Sequence, residues 1–325
     1  MRKLFITGGA GYVGSVLTPY LLKKGYLVTV YDLFIYGNTL KKNKNLNIIK
    51  GDLRDLVLLK KSIFDHDIVI HLACISNDPS FELNPTLGKQ INLDSFLPLV
   101  KLSKEFGIKR FIYASSSSVY GIKKEKNVHE DMCLEPLTDY SRFKADCEKI
   151  LLKEKTDNFI VSILRPATVC GFSPRQRLDL VVNILTNLAY HKREISVFGG
   201  DQLRPNIHIN DMVRAYELFI LIDGNKINGE IFNIGFENKS VSELAEEVRS
   251  IIGNDVKIKK VSTKDNRSYH ISSEKIKKIL GFKYNFTILN AIQDLKKAFD
   301  EKELNNPMEN IDYFNIKKMQ FINLK

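Results

Sequence analysis

An α/β fold with a Rossmann-type, doubly wound parallel sheet is predicted by three observations. Short apolar runs rich in Ile, Val, Phe and Tyr alternate with helical patterns over the first half of the chain. A glycine-rich turn follows the first run and opens the first helical pattern. An acidic residue, Asp32, closes the second run. A βαβ rhythm of this kind places helices on both faces of a parallel sheet with right-handed crossovers.

The elements follow in order. Strands are expected at 3–7, 27–32, 46–50, 68–72, 111–115 and 159–164, with helices such as 12–24 and 87–106 between them. Residues 1–6 begin like a secretion signal, but the apolar run breaks at Gly8, too early for such a segment. They read as the first strand. After Arg165-Pro166 the rhythm loosens. A helix is expected over 178–191, a short strand over 195–198 and a helix over 211–221, capped by Asn210 or Asp211. Ser240 and Glu243 form a capping box for a helix over 241–252, and 287–299 reads as a last amphipathic helix. The expected division is a nucleotide-binding domain over 1–174, to which 206–236 returns. A smaller substrate-binding lobe would comprise 175–205 and 237–325, with the ligand between the two.

Composition narrows the function class. Of 325 residues, 44% are hydrophobic and 27% charged, enough for a core without covalent staples. The four cysteines, Cys74, Cys133, Cys147 and Cys170, have no C-x-x-C spacing and read as reduced thiols of a cytoplasmic protein. His71 and Cys74 form an isolated H-x-x-C, too few ligands for a metal, so none is expected. The net charge of +11 is spread along the chain with no nucleic-acid motif, so a lysine-rich surface and an anionic small-molecule site are expected rather than nucleic-acid binding. No apolar run reaches the length of a membrane span.

Three constellations carry chemistry. In Thr7-Gly8-Gly9-Ala10-Gly11-Tyr12-Val13-Gly14 the glycines let the backbone turn tightly and approach a pyrophosphate, whose charge a helix N-terminus stabilises. Asp32 ends the second strand, where a carboxylate accepts hydrogen bonds from both ribose hydroxyls and repels a 2′-phosphate; NAD is thereby favoured over NADP. Asp52-Leu53, after the third strand, is placed to flank the adenine, although Asp52 could equally cap the next helix. The third constellation is Tyr140 and Lys144, four apart and so on one helical face, preceded by the serine run 115–118. A free tyrosine, with a pKa of about 10, is a poor base. A nearby ammonium and a positive nicotinamide favour its phenolate, which can then take a proton from a sugar hydroxyl as hydride leaves the same carbon. A serine hydroxyl can bind the same oxygen. A lone Y-x-x-x-K usually marks a solvated helix face; its position after the fifth strand of this pattern changes that reading.

On these motifs the chain resembles the extended short-chain dehydrogenase/reductase family, specifically its NAD-dependent sugar-nucleotide epimerases and dehydratases. Further anchors are His71-Leu72-Ala73, Asn92, Val119-Tyr120-Gly121, Leu164-Arg165-Pro166 and the segment 204–211. The resemblance implies Ser116, Tyr140 and Lys144 as the catalytic set. The cofactor would be held by Gly8, Gly11, Tyr12, Val13, Gly14, Asp32, Asp52, Leu53, Leu72, Ala73, Asn92, Tyr140 and Lys144. It also implies a nucleoside-diphosphate sugar substrate touched by Ser76, Asn77, Ser117 and Thr168, with Asn183, Arg204 and Arg267 at the diphosphate. A homodimer through the helices at 87–106 and 140–152 is common in the family.

Three departures bear on the reaction. Family dehydratases carry Asp-Glu directly after the catalytic hydroxyl residue, where this chain has Ser117-Ser118. Thr168 stands where many members have Asn. The stretch 168–180 resembles a subgroup that includes capsular GDP-heptose C4-dehydrogenases, with Arg175 and Arg177 as implied substrate contacts. The expected activity is therefore an NAD-dependent 4-epimerase of a nucleotide sugar. A one-way C4 dehydrogenase or ketoreductase uses the same residues and stays open at this point. A 4,6-dehydratase ranks third, since its acid/base pair is missing. An NAD-sensing binding protein would have no need of an intact Ser116/Tyr140/Lys144 set.

Overall fold

The computed structural model describes residues 1–76, 78–263 and 268–322. In chain order the first half runs β1 (Lys3–Thr7), α1 (Gly14–Lys23), β2 (Leu27–Asp32), β3 (Leu46–Lys50), α2 (Leu56–Ile63), β4 (Ile68–His71), α3 (Asp78–Glu82), α4 (Pro85–Lys89), α5 (Phe96–Glu105), β5 (Arg110–Ala114), α6 (Asp139–Glu154) and β6 (Ile160–Pro166). The second half contains β7 (Thr168–Cys170), α7 (Val181–Lys192), β8 (Glu194–Phe198), β9 (Leu203–His208), α8 (Ile209–Leu221), β10 (Glu230–Ile234), β11 (Glu237–Ser240), α9 (Val241–Ile252), β12 (Lys257–Val261), α10 (Glu274–Leu280), α11 (Ile288–Asp300) and α12 (Asn315–Ile322).

Side chains alternate across a strand, so each strand of the main sheet feeds two cores. Leu4, Ile6, Val28, Val30, Ile70, Ile112 and Leu164 pack with Leu17 and Leu21 of α1 and Met212, Tyr216 and Phe219 of α8. On the opposite face Phe5, Val69, Phe111, Tyr113, Val161 and Ile163 pack with Leu59 of α2, Phe96 and Leu99 of α5, and Cys147 and Leu151 of α6. Burial on both faces explains why these strands read as continuous apolar runs. The sheet has seven strands in the order β10-β6-β5-β4-β1-β2-β3, all parallel. The order reverses between β1 and β4, which opens a crevice at the carboxyl ends of those strands.

A third core, built from Val182 and Leu185 of α7, Leu244 and Val248 of α9, Ile292 of α11 and Ile195 of β8, lies apart from the sheet. Two small sheets accompany it, β11-β9-β7 and β12-β8. The capping box at Ser240 and Glu243 starts α9 as expected, and Thr287 with Asn290 forms another for α11.

Several elements depart from the sequence expectation. The helix over 87–106 is interrupted by a π-helical turn, Gln90–Asp94, between α4 and α5. Helix α8 starts at Ile209 and is capped by the imidazole of His208, which accepts from the Asn210 N–H at 3.1 Å, not by Asn210 or Asp211. The Asp211 carboxylate is buried instead and accepts from the backbone N–H groups of Asn285 and Phe286. The helix over 287–299 is not the last: α12 follows, too short for its periodicity to be legible. Among the described residues no helix is long and apolar enough to cross a membrane.

Candidate active site

The turn after β1 shows why glycine is required at two of its positions. Gly8 has φ +72°, and a Cβ there would meet the Ala73 nitrogen at 2.6 Å. A Cβ on Gly14 would meet the Gly8 carbonyl oxygen at 2.5 Å. Only glycine lets the turn, the end of β4 and the start of α1 come this close. No side chain caps α1, and Gly14 at its start lines the cleft, where a helix N-terminus favours an anion; the Ser15 N–H is already bonded to the Gly11 carbonyl at 2.8 Å. This cradle and the carboxylate at the end of β2 fit a dinucleotide. Asp32 accepts from the N–H of Ala10 at 3.0 Å and of Phe34 at 2.8 Å, which fixes its orientation. Burial pushes its pKa upward, opposed by those two hydrogen bonds and by Arg175.

A cavity of about 360 Å³ runs from this cradle across the ends of β1, β4 and β5. Gly8, Gly11, Tyr12, Val13, Gly14, Asp32, Asp52, Leu53, Leu72 and Ala73 line one half. Ser76, Ser116, Ser117, Tyr140, Lys144, Thr168, Arg175 and Arg177 also line it. The capping box of Thr138 and Ser141 starts α6 and so sets the phase that turns both Tyr140 and Lys144 to the cavity. Lys144 is buried, and its Nζ donates to the Ala114 carbonyl at 2.6 Å and lies 5.9 Å from the Tyr140 ring centre. Ser116 and Ser118 share a hydrogen bond at 2.9 Å. The Tyr140 phenol is pushed well above its ordinary value, first by burial and then by Cys74 and Asp78, while Arg177 and a hydrogen bond with Ser116 pull it down. A cationic ligand at this place would favour the phenolate further.

Behind the turn that carries Ser116 lies a buried polar network. Glu148, one turn beyond Lys144, pairs with Arg165 at 2.6 Å and 3.0 Å and accepts from Ser115. Arg165 also donates to the Tyr120 hydroxyl at 2.8 Å, which donates to Asn233. This network ties α6, β6 and β10 to the turn that carries Ser116.

Two of the expected residues make their contacts outside the cavity, and of the two readings of Asp52 the cap is not made. Asn183 does not line the cavity: it is buried, accepts from the Gly171 N–H, and donates to the Tyr12 hydroxyl and the Arg177 carbonyl. Its amide is spent inside the lobe and has no donor left for a diphosphate. Asn92 likewise does not line the cavity; it binds the N–H and carbonyl of Ile75 from the π-helical turn and shapes the loop after β4. Asp52 does not cap α2, which Asp55 does; its carboxylate is held by Arg54. Burial acts upward on Asp52, but the Arg54 hydrogen bonds outweigh it and hold it below the usual carboxylate range. Arg204 lies on β9, over the ring of Tyr269, which itself lines the cavity. Asn77 and Arg267 fall outside the described residues.

Sequence reasoning missed Tyr36, Cys74, Asp78, Tyr216, Tyr269 and Asn315, all of which line the cavity. Asp78 was in reach, two residues beyond Ser76; Asn315 carried no signal, since only tertiary packing brings it to Ser76.

A model of the NAD dependent epimerase/dehydratase family matches residues 4–235, well over half of the chain. An uncharacterized UDP-glucose epimerase, YtcB, from Bacillus subtilis is 32% identical over 270 residues, covering 77% of this chain and 82% of its own. The crystal structure of the UDP-glucose 4-epimerase of Thermotoga maritima with UDP-glucose superposes with a TM-score of 0.85 at 24% identity, over 93% of this chain and 99% of that one. MoeE5 in complex with UDP-glucuronic acid and NAD gives a TM-score of 0.80 at 25% identity, over 93% and 100%.

Proposed function

The chain belongs to the NAD dependent epimerase/dehydratase family, and from that membership we propose that it inverts C4 of a nucleoside-diphosphate sugar. It is an NAD-dependent sugar-nucleotide 4-epimerase. One observation carries the reading: Ser116, Tyr140 and Lys144 meet in the same cavity as the glycine cradle and Asp32. Bound NAD supplies a reversible hydride acceptor. Tyr140 takes the proton from the C4 hydroxyl and later returns it, Ser116 holds that oxygen, and Lys144 favours the phenolate. The 4-keto sugar turns over between the two transfers. Ser76, Ser117, Thr168 and Arg177 would line the sugar, and Arg204 would reach the diphosphate. The sheet over 1–174 with 206–236 would carry the cofactor, and 175–205 with 237–325 the nucleotide sugar.

Water loss across C5 and C6 needs an acid and a base beside the catalytic serine. Ser117 is buried there, and the Ser118 hydroxyl is bonded to Ser116. Neither can serve near neutral pH, so dehydration is not expected. The resemblance of 168–180 to GDP-heptose C4-dehydrogenases supports a GDP-linked substrate, and the UDP-glucose 4-epimerases among the relatives support a UDP-linked one. A homodimer through α5 and α6 and a cytoplasmic setting complete the proposal. Incubation with UDP-, GDP-, dTDP- and CDP-sugars, read by mass spectrometry and NMR, tests it. A C4 epimer of unchanged mass is expected. A product lighter by one water with a new C6 methyl signal would overturn the exclusion of dehydration.

A further inference from the structure

Arg175 and the C-terminal helix are not accounted for by the reaction. Arg175 is 4% exposed yet lines the cavity. Its guanidinium lies 3.7 Å from the centre of the Tyr36 ring, four residues beyond Asp32. One terminal nitrogen donates to the Asn315 side chain at 2.6 Å, the other to the Gln176 carbonyl at 3.4 Å, and Nε has no partner. The neighbouring Arg177 is neutralised by a bidentate pair with Asp179 at 2.9 Å and 3.1 Å. Among the described residues no carboxylate lies within hydrogen-bonding reach of Arg175. A buried cation held this way calls for an anion in the cavity.

Its neighbours say which anion. The backbone N–H of Arg175 donates to Ser15 Oγ at 3.3 Å, and Ser173 bonds both Ser15 and the Tyr12 carbonyl. Residues 173–175 are thus docked on the start of α1, beside the pyrophosphate cradle. Tyr36 and Asp32 belong to the ribose end of the same half. The sugar end, at Tyr140, carries Arg177 instead. Asn315 holds Arg175 from the first turn of α12. Its amide also donates to Ser76 at 2.9 Å, and its N–H donates to Asp179 at 3.1 Å. Further along α12, Met319 packs on Ile75, Leu87 and Ile91, with Ile35 and Ile322 at the margin. Ile35, Ile75 and Ile91 line the cofactor half of the cavity.

We propose that Arg175 binds the ribose–diphosphate part of NAD rather than the nucleotide sugar, and that Asn315 positions it, so that α12 latches the cofactor in the cleft across both hydride transfers. The proposal rests on the 4-epimerase reading, in which the cofactor is regenerated without leaving. Depression of the Arg175 pKa to about 10 by burial, and by Arg177 beside it, agrees with a cation awaiting its counter-charge.

The test uses the full chain and two probes: NADH, followed by fluorescence for affinity and dissociation rate, and UDP or GDP titrated with NADH saturating. Arg175→Met keeps the buried volume and removes the donors. It should weaken NADH about ten- to hundredfold, the loss of one charge-assisted contact, and leave UDP and GDP affinity unchanged. Unchanged NADH affinity with weakened UDP or GDP would return Arg175 to the substrate and overturn the proposal. Asn315→Leu should speed NADH dissociation, whereas Asn315→Gln, which still offers Arg175 a neutral acceptor, should keep release slow. Equal rates for the two Asn315 variants would overturn the positioning role, and that comparison decides even if Arg175→Met does not fold. A wild-type chain that binds no NADH would instead contradict the cofactor reading itself.

Discussion

The two halves of the cleft are built differently. The cofactor half is assembled from contiguous turns, at 7–14, 32–36, 51–53 and 72–76, each fixed by the end of a parallel strand. The remainder draws on the turn 114–118, α6, β7, Arg177, Leu180, α8 and Tyr269, which only tertiary packing brings together. A site made of local turns constrains its residues by backbone geometry, as Gly8 and Gly14 do. A site made of distant segments constrains them by side-chain chemistry that many residue types can meet. Cofactor use is therefore stamped on the chain more firmly than sugar identity.

The largest break in this comparison is expected at its seam. Tyr140→Phe keeps the ring and removes the proton acceptor, so turnover should fall by about two to four orders of magnitude. NAD and nucleotide-sugar affinities, measured by calorimetry, should persist; near wild-type kcat would contradict the assigned role. Glu148→Leu leaves Arg165 buried without its carboxylate partner and should destabilise the fold by about 3–5 kcal/mol in urea unfolding. Loss below 1 kcal/mol would mean that the network behind the serine turn is not a tie.

Legibility follows the same division. Asp32 and the glycines could be read because the backbone dictates both type and spacing there. Asn183 is the opposite case: a polar residue expected at the diphosphate bonds Tyr12 and Gly171, partners that no spacing announces. Arg175 was expected at the substrate; its proposed place at the cofactor rests on how 173–175 dock on Ser15, which no local pattern displays. Nothing in the composition of α12 marks Asn315, whose partners Arg175, Asp179 and Ser76 are 140, 136 and 239 residues away.

Smaller effects sharpen each half separately. Arg204→Ala should raise KM for the nucleotide sugar by about ten- to hundredfold, the worth of one charge-assisted hydrogen bond, with KM for NAD unmoved. If both move alike, Arg204 acts through the fold. Asp32→Asn should narrow the preference for NAD(H) over NADP(H) in direct binding, because the charge that repels a 2′-phosphate is gone. A further effect, small per pH unit, is acid sensitivity in the cofactor half. Burial, with Lys144 nearby, depresses His71 to about 3, and its Nδ1 sits 2.7 Å from the Thr7 hydroxyl. The folded chain thus keeps His71 neutral where the unfolded chain, at about 6.5, takes up a proton. Stability should fall as pH drops from about 6.5 toward 3, by at most about 1.4 kcal/mol per pH unit from this group. His71→Gln should flatten that slope in urea titrations.

The central claim is that hydride leaves C4 and returns to C4 of the same sugar with the cofactor held in place. A substrate sugar from the nucleotide panel, deuterated at C4, tests it most directly. The account expects a C4-epimeric product that keeps the deuterium, without free NADH building up. Free NADH accumulating in step with a 4-keto product would contradict it and establish a one-way dehydrogenase.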